Sequence, residues 1–466
     1  VFKSSKFIQS NYDDDKKNII GKYKEMGFRD AKITKDTMYD FDEKSIILEL
    51  TVDEGRQYFI RNIKWVGNTK FSTYTLKQIV SIDKGEIYNP TLIEQRLFMD
   101  PNGKDVSSMY MDDGYLFFQV TPVEVFVQND SVDLEIRIYE GRQARINNVE
   151  ARGNTKTNDH VVYRAIRTLP GNLFSRSDIM RSQRELSILG YFDPQAMNVV
   201  PKPNPENATV DMEYTVAEKP SDQIELSGGW GGGRVVGSVG IRFTNFSLKN
   251  VFNFKEWRPL PSGDGQQLSL RFQTSGLYYS SLNFSFTEPW LGGKRPLSFS
   301  VSSYWSLQSN GQAKDDPLRQ DITIWGATLG LGHQLKWPDD YFVVRHEVSY
   351  QKYVMNNWRS FLFSKGVSNN VFYRITVNRN SLDQIIYPKT GTDIKTSLQI
   401  TPPYSAFTSG KDYANMEPQE KYQWVEYYKW KFTTDWYTPI VQNLVFKAKI
   451  GFGFMGAYAA SKGLTP

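Results

Sequence analysis

Residues that commonly carry out chemistry are few in this chain and lie far apart. The only histidines are His160, His333 and His346, and no two of them stand at the spacing of metal ligands. Cysteine is absent, which removes disulfides, thiolate metal sites and cysteine nucleophiles together. The sequence therefore predicts neither a metal site nor a thiol-based catalytic site.

Two short runs could still be taken for binding sites. Asp13, Asp14 and Asp15 could hold a cation, but acids at the start of a helix cap it and complement its dipole, and we favour this structural role. The glycine run at 228–233, interrupted by Trp230, could suggest a phosphate loop, but the pattern predicts no helix after it. Nucleophile elbows, Walker loops and paired acids in a strand–turn–helix context are missing from the sequence. We therefore expect no enzymatic activity and no cofactor.

The elements that would position a site fall into two parts with different sequence patterns. Mixed helix and strand patterns end near Pro220, and only alternating strands and turns follow it. Of the 11 tryptophans, only Trp65 precedes residue 230. No run approaches the roughly 18 consecutive apolar residues of a transmembrane helix. The net charge of +5 gives no reason to expect a nucleic-acid partner.

The first part contains an internal repeat. Residues 54–70 read EGRQYFIRNIKWVGNTK and residues 140–156 read EGRQARINNVEARGNTK, so the motif recurs after 86 positions. Around each Gly-Asn-Thr-Lys turn the periodicity predicts a strand, two helices and two further strands. The first 57 residues have the pattern of only the later part of such a unit.

The second part alternates between apolar and polar residues. Leu268, Leu270 and Phe272, for example, are separated by polar side chains, and we count about eleven such strands. Many are about ten residues long, the length that a tilted membrane strand needs. A soluble β-sandwich or propeller would also alternate, but aromatic residues at strand ends, such as Trp290 and Trp305, are typical of a membrane interface. The pattern therefore predicts an antiparallel transmembrane β-barrel.

Several motifs give the chain a resemblance to a known family. The repeated units, with their Gly-Asn-Thr-Lys turns and Gly-aromatic helix ends, resemble POTRA domains. The second part resembles the barrel of the BamA family of outer-membrane β-barrel assembly factors. Two turns carry this likeness, one after the fourth strand and one between the eighth and ninth; the residues that match are Glu288, Pro289, Trp290, Asp383, Tyr387, Pro388 and Gly391.

The resemblance implies a domain order, with α+β POTRA repeats (β-α-α-β-β) preceding an antiparallel transmembrane β-barrel. It predicts a partial POTRA domain at 1–57, POTRA domains at 58–143 and 144–220, and the N-terminal portion of the barrel at 221–466. Barrels of this family have sixteen strands and an interior loop with an Arg-Gly-aromatic motif. We therefore expect the chain to be truncated at both ends, with that loop and the closing strands beyond residue 466.

The resemblance also implies a function. It predicts a central component of the machinery that folds and inserts barrel proteins in the bacterial outer membrane, with the POTRA domains in the periplasm. The partners would be unfolded outer-membrane β-barrel proteins, accessory periplasmic or lipoprotein subunits and the lipid bilayer, without nucleic acid. One alternative keeps the fold but exports a partner polypeptide, as TamA-like or two-partner secretion translocases do. A passive porin, or a barrel joined to an upstream hydrolase, also remains open.

The first predicted barrel strand is the expected lateral gate. Its glycines offer no side-chain packing and cost backbone entropy, so strand pairing should be weak and register loosely specified. A glycine bulge or bend that only adds curvature is the alternative. The gate residues that we predict are Ile224, Glu225, Leu226, Ser227, Gly228, Gly229 and Trp230.

A second set of residues is expected to receive substrate by β-augmentation, in which an extended chain pairs with an exposed sheet edge. The strand after the second helix of each unit is the predicted edge. The residues on these three edges are Ala31, Lys32, Ile33, Thr34, Phe117, Phe118, Gln119, Val120, Ala196, Met197, Asn198 and Val199.

Overall fold

The structure is a computed structural model that describes most of the chain in two compact units. The first unit comprises Val1–Arg152, Ile166–Gln183 and Met197–Thr215, and the second comprises Gly153–Ala165, Arg184–Ala196 and Val216–Pro466. No helix among the described residues is long and apolar enough to cross a membrane. The described residues are 7–42, 45–100, 103–231, 234–257, 260–359, 363–384, 387–407, 412–413, 415–441, 444–460 and 463–464.

The part of the chain before residue 220 alternates short helices with short strands. These elements are α1 (Gln9–Glu25), β1 (Lys32–Asp42), β2 (Ser45–Asp53), β3 (Phe59–Val66), α2 (Thr73–Val80), α3 (Pro90–Glu94, continued by a π-helical turn over Gln95–Met99), α4 (Val106–Asp112), β4 (Gln119–Gln128), β5 (Ser131–Tyr139), β6 (Arg145–Arg152), α5 (Asp159–Tyr163), α6 (Arg176–Ile188), β7 (Asn198–Asn204) and β8 (Thr209–Thr215).

The strands of this part form three small sheets. Strands β1 and β2 pair as an antiparallel hairpin, and the other two sheets have the orders β3-β5-β4 and β6-β8-β7. In each three-stranded sheet the central strand is parallel to one neighbour and antiparallel to the other. Strands β4 and β7, which follow the helices, therefore lie at sheet edges. The second copy has the strand–helix–helix–strand–strand order that the sequence predicts, and the first copy adds a third helix, α3, between α2 and α4.

Apolar side chains from both helices and strands form the core of the β3-β5-β4 domain. Leu76 of α2 and Tyr110 of α4 are fully buried, and they pack with Ile60, Val132 and Ile136 from the sheet. The three strand residues alternate with half-buried or exposed, mostly polar ones, as expected for a sheet with one face on a core and the other in water. Burial of this single face fixes the strand register.

The Gly-Asn-Thr-Lys turns repeat because the same contact recurs in both copies. Gly67 and Gly153 have φ of 91°, and a Cβ atom at either would overlap the carbonyl oxygen of Ile138 or Val216. Only glycine satisfies both the left-handed conformation and the close approach. The acid after the last strand accepts hydrogen bonds from the turn. In the first copy, Glu140 accepts from the amides of Thr69 and Lys70 at 2.7 and 2.8 Å.

The second unit is dominated by an 11-stranded antiparallel sheet. Its order is consecutive from the first strand to the last, so each strand pairs with its neighbours in sequence, and the count of eleven strands is confirmed. Two short helices, α7 (Tyr404–Phe407) and α8 (Pro418–Lys421), lie in the long connection before the tenth strand. The strands are β9 (Gln223–Gly231), β10 (Arg234–Phe246), β11 (Gln266–Thr274), β12 (Tyr279–Glu288), β13 (Leu297–Ser309), β14 (Asp321–Gln334), β15 (Phe342–Asn356), β16 (Gly366–Asn380), β17 (Gly391–Ile400), β18 (Tyr428–Val441) and β19 (Leu444–Gly456).

The two faces of this sheet differ in chemistry. Val239, Phe272 and Leu282 are aligned across β10, β11 and β12, and each is more than two-fifths exposed. The neighbouring row on the opposite face includes Arg271 and Asn283, which are also directly paired. Exposed apolar rows on one face and polar rows on the other are the arrangement of a barrel that is surrounded by lipid.

The structure contradicts the predicted capping role of the acidic run. Helix α1 begins at Gln9 with Ile8 as its N-cap, so its first turn holds no acid. Asp13 and Asp14 lie further along and pair with Lys16 and Lys17, each at 3.2 Å. The prediction was wrong because the helix starts earlier than its apolar pattern does.

The turn glycine gives the first testable prediction. Gly67→Ala should lower the local free energy of unfolding by roughly 1–3 kcal/mol, because the new methyl group must displace a backbone carbonyl. The matched control is Gly85→Ala, since Gly85 has the same φ of 91° but no atom within 4 Å of an added Cβ. Hydrogen exchange of β3 and β5, measured by mass spectrometry, should accelerate much more in the first variant. Equal acceleration in both variants would show that the carbonyl contact is unimportant.

Candidate functional site: the first strand of the large sheet

Strand β9 begins the large sheet, and β10 is its only strand partner among the residues that the structure describes. Its apolar side chains are open, with Ile224 and Leu226 each 81% exposed and Trp230 76% exposed. They continue the apolar face of the sheet, because Leu226 lies opposite Val239 and Ile224 opposite Ile241. The far side of β9 therefore presents backbone donors and acceptors to which another strand can bind.

The glycines of β9 are not required by packing. An added Cβ at Gly228 or Gly229 would meet no atom within 4 Å, and neither residue has a positive φ. Pairing with β10 runs without a register shift from Gln223 to Gly231, so the alternative of a glycine bulge is not found in this strand. Residues 232 and 233 of the glycine run lie outside the described residues. The remaining effect of Gly228 and Gly229 is weak strand propensity.

Polar contacts on the other face of β9 are few. The Ser227 and Ser238 hydroxyls are 2.7 Å apart, and Ser238 donates to the Glu225 carboxylate at 2.9 Å. Arg271 of β11 also donates to Glu225 at 2.9 Å. Both partners of that ion pair are nearly half exposed, and such pairs contribute little to stability. Side-chain contacts thus hold β9 to its neighbours only loosely.

The segment leading into β9 is anchored much more firmly. Glu218 accepts hydrogen bonds from the Thr157 amide at 2.7 Å, the Lys156 amide at 2.9 Å and the Thr155 hydroxyl at 2.9 Å. Burial by itself raises the pKa of Glu218, but these hydrogen bonds outweigh it and hold the pKa below its usual range. The carboxylate thereby ties the residues before β9 to the turn at 153–157.

The same turn is bonded to the β10–β11 connection, which comprises residues 247–265. Asn245, the buried residue near the end of β10, donates from its side chain to the Thr157 hydroxyl at 2.8 Å. Asn158 donates from its amide to the Gly263 carbonyl at 2.9 Å and from its side chain to the Asp264 carboxylate at 2.8 Å. Asn245 also accepts from the Gly265 amide at 2.8 Å. Its side chain, which lies just before the connection, thus joins the turn to the far end of the connection.

An arginine and a tyrosine enclose this network. Arg164, just after α5, donates to the Asp264 carbonyl at 3.1 Å, and its guanidinium lies 5.7 Å from the ring centre of Trp290. An added Cβ at Gly265, which has a φ of 70°, would press on Arg164 and on Tyr191. Burial lowers the pKa of Arg164 and raises that of Tyr191. The close packing therefore requires glycine at 265 and holds the arginine between the turn and the sheet.

A second contact lies near the end of α6. Arg184 and Arg379 each place a guanidinium 5.6 Å from the ring centre of Tyr341, which connects β14 to β15. Arg379 also bonds to Asp339 at 2.9 Å. The sheet is thus held by residues 153–165 at its first strands and by Arg184 farther along.

Comparison with protein-family models identifies two kinds of domain in the chain. Residues 262–466 match the model of the Omp85 superfamily domain. Residues 58–141 and 144–219 each match the POTRA model, described as a surface antigen variable number repeat. The chain therefore carries two POTRA domains followed by an Omp85 superfamily domain.

Similarity to individual Omp85 proteins gives the same result. The chain is 21% identical to outer membrane protein assembly factor BamA of Neisseria meningitidis, over 99% of this chain and 55% of that protein. It is 27% identical to BamA of Nitratidesulfovibrio vulgaris, over 66% of this chain and 37% of that protein. The chain therefore spans from about a third to about half of the length of these curated relatives.

A solved structure supports the fold. The crystal structure of BamA from Haemophilus ducreyi lacking POTRA domains 1–3 matches with a TM-score of 0.51 and 18% identity, over 88% of this chain and 72% of that one. POTRA repeats followed by the antiparallel barrel sheet, as predicted from the sequence, are thus confirmed, and the domain composition is of the BamA type. The Omp85 domain and the similarity to BamA proteins imply the bacterial outer membrane as location.

The structure of this Omp85 protein puts the predicted edge residues in or just before edge strands. Strand β1 belongs to a two-stranded sheet, and β4 and β7 end their three-stranded sheets. Ala31, Phe117, Phe118, Ala196 and Met197 precede these strands. The predicted residues within the strands are Lys32, Ile33 and Thr34 in β1, Gln119 and Val120 in β4, and Asn198 and Val199 in β7.

The edges of the two POTRA sheets differ in their backbone donors. Proline has no amide hydrogen and is found in sheets with its nitrogen facing away from the partner strand. In β7, Pro201 and Pro203 are alternate residues, so the outward-facing row keeps only the amide of Val199. In β4, Pro122 is the one proline, and the outward amides of Val120 and Glu124 flank it. Strand β4 therefore offers the better edge for strand addition.

The predicted turn motifs of the Omp85 barrel lie where the sequence indicated. Pro289 and Trp290 directly follow β12, which ends at Glu288, and Trp290 contacts Arg164. Between β16 and β17, the Asp383 carboxylate accepts from the amides of Lys389 and Thr390 at 3.0 and 3.2 Å. Tyr387 with a φ of 56° and Gly391 with a φ of 109° complete that turn with Pro388.

Sequence reasoning missed the residues that anchor the first strands. Asn245 and Asp264 lie in a polar setting with no periodic pattern, so nothing marks them individually. The cluster Gly263-Asp264-Gly265 is a recognisable turn signal, but its partner 100 residues earlier in the chain is not visible from sequence.

The anchor gives a prediction with a defined pH dependence. Glu218→Gln should increase hydrogen exchange of residues 154–158 at pH 7, because the neutral amide accepts these bonds more weakly. The folded-state pKa of Glu218 is lowered, so its contribution is fully present above the unfolded-state value, about 4.3. It is lost as the pH falls through the folded-state pKa. Variant and parent should therefore converge only in acid below that lowered folded-state pKa. A difference that persists in acid would contradict the assignment to the ionised carboxylate.

Proposed function

We propose that this chain is part of a factor that folds and inserts β-barrel proteins into the bacterial outer membrane. The proposal extends the family assignment to an activity, with POTRA domains in the periplasm and unfolded barrel proteins as substrates. Accessory periplasmic or lipoprotein subunits are included as partners. The mechanism requires strand pairing alone, without enzymatic chemistry or a cofactor.

The observation that carries the proposal is the weak hold on β9, because Gly228 and Gly229 lack side-chain packing and the described side-chain contacts of this strand are few. Such a strand is a template that can exchange the partner on its outer side. A client hairpin that pairs there satisfies its backbone groups before it meets lipid, where unpaired groups cost several kcal/mol each. The residues from Ile224 to Trp230 are therefore the proposed lateral gate.

Domain boundaries belong to the same proposal. We assign 1–57 to a partial POTRA domain, 58–143 and 144–220 to two complete ones, and 221–466 to the barrel. The short stretch between β8 and β9 then serves as the linker, and Glu218 fixes it to the preceding turn.

Substrate capture in the periplasm is proposed to occur mainly at β4. The outward amides of Val120 and Glu124 can bond to an extended client, and β-augmentation needs little side-chain specificity. The predicted edges at β1 and β7 remain part of the proposal, but Pro201 and Pro203 leave β7 with fewer donors. A client is thus captured at β4 and then passed to β9.

A cross-linking experiment tests the gate. The chain has no cysteine, so Ser227→Cys places a single thiol on β9. In proteoliposomes containing the full-length protein, a client barrel protein with one cysteine in a terminal strand should form a mixed disulfide with it during insertion, which electrophoresis detects.

The matched control for that experiment is Ser281→Cys on β12. Through Ser238 and Gln273, Ser281 lies in the same cross-strand row as Ser227, but inside the sheet. The client should not cross-link there. Equal trapping at the two positions, or none at Ser227→Cys while insertion proceeds, would remove β9 as the gate.

A proline exchange tests the capture edge. Pro122→Ala should add one outward donor to β4 and tighten binding of an extended peptide roughly 2- to 10-fold, the value of one hydrogen bond of about 0.5–1.5 kcal/mol. Val120→Pro should weaken binding by a similar factor, because it removes a donor that faces the same way. A fluorescent peptide with the sequence of β13 (Leu297–Ser309) and anisotropy titration provide the measurement.

The control for this pair is Pro201→Ala with Pro203→Ala, which should create a second binding edge on β7. If all three variants bind the peptide like the parent, main-chain pairing at these edges is not the mode of capture. That result would leave the gate at β9 unaffected.

A further inference from the structure

The β10–β11 connection carries the most exposed aromatic residue of the described chain. Phe252 is 90% exposed, Phe254 is 74% exposed and Leu248 is 55% exposed. All three lie within seven residues, in or beside the short 3-10 helices Leu248–Asn250 and Phe254–Glu256. Apolar side chains that cluster outside a core in this way mark a surface for binding a partner or a membrane.

Contacts on the other side of this segment tie its base to neighbouring residues. The Ser247 hydroxyl bonds to the Asp264 carboxylate at 2.6 Å, and the Trp257 indole donates to the Asn250 carbonyl at 3.1 Å. Phe254 packs on Trp257 with ring centres 5.2 Å apart. Leu248, Phe252 and Phe254, the apolar tip, thus stay exposed while the base of the connection is bonded to the turn at 153–158.

The position of the connection in the sheet indicates what its apolar side chains bind. It joins the ends of β10 and β11, whose apolar residues Phe243 and Leu268 are directly paired on the lipid-facing side. The tip therefore continues the lipid-facing surface at the level where the strands leave the hydrocarbon. Lys249 and Lys255 alternate with the apolar residues and are exposed, which suits the phosphates of a bilayer surface.

The next connection on the same edge of the sheet has the same chemistry. Between β12 and β13, Leu291 is 43% exposed, and Lys294 and Arg295 are exposed beside it. An apolar side chain flanked by cations thus occurs twice along this rim. Apolar side chains flanked by cations fit the interfacial zone of a membrane. They fit a protein partner less well, because the core of a protein–protein interface is poor in lysine.

We propose that Leu248, Phe252 and Phe254 insert into the phospholipid leaflet on the POTRA side of the membrane. They anchor the β10–β11 connection at the bilayer surface, directly beside β9. Because the base of the connection is bonded to Asn158 and Thr157, this anchor also fixes the turn at 153–158 relative to the lipid. The inference depends on the membrane location of the sheet and is independent of any assembly activity.

Single-site spin labelling tests the proposal, since the chain contains no native cysteine. The label is attached to Phe252→Cys or Phe254→Cys in the full-length protein, reconstituted in vesicles of phosphatidylcholine and phosphatidylglycerol. Power saturation then compares collisions with oxygen, which is enriched in lipid, and with a water-soluble nickel chelate. Leu329→Cys on the outer face of β14 gives the lipid reference, and Tyr74→Cys on α2 gives the aqueous reference.

Both tip labels should collide with oxygen several-fold more, relative to nickel, than the label at Tyr74→Cys does. Their values should lie between those of the two references, because an interfacial site is shallower than Leu329→Cys. Nickel accessibility equal to that of Tyr74→Cys would overturn the proposal in favour of an aqueous loop. Shielding from both reagents would overturn it too, because it would indicate that a protein covers the tip. Unchanged hydrogen exchange of β10 and β11 verifies that each variant is folded.

Discussion

An amide group in the hydrocarbon region of a bilayer has no water to bond to, so a membrane-spanning sheet must pair its strands along their whole length. Strands β10 to β18 each have a strand partner on both sides. Strand β9 has one strand partner among the described residues, as does β19 at the other edge, so its outer side needs a second strand wherever lipid surrounds it. The cost of unpaired backbone makes that side selective for extended chains, whatever their side chains are. Everything proposed for the gate follows from this requirement.

The POTRA sheets meet the opposite constraint, because their edges are exposed to water and must not pair at random. Two prolines protect β7, and one proline limits β4 without closing it. The arrangement separates a protected edge from a receptive one within the same fold. Affinity at β4 would be modest, since each added hydrogen bond contributes only about 1 kcal/mol in water. A weak capture edge is suited to a client that must later leave for the membrane.

Much of the fold was predictable because it depends on short-range patterns. Alternation from Leu268 to Phe272 gives a strand directly, and the repeated Gly-Asn-Thr-Lys turn marks the POTRA units. The position of β9 as first strand also follows from chain order. The anchor was not predictable, because Asn245 and Thr157 are 88 residues apart and no local pattern links them. The predicted start of α1 was wrong for another reason, because Gln9 and Ser10 are polar and give no apolar pattern. Tertiary contacts such as the hydrogen bond from Tyr12 to Asp36 stabilise that turn.

The short distance along the chain between Glu218 and Gln223 restricts how β9 can move. Five residues span at most about 17 Å when fully extended, and the carboxylate end of this tether is held by the turn at 153–157. The Gln223 end of β9 consequently cannot travel far, while the end near Trp230 is held among the described contacts by its pairing with β10 alone. As the proposed gate, β9 would therefore pivot about its Gln223 end, and the gap would be widest near Trp230.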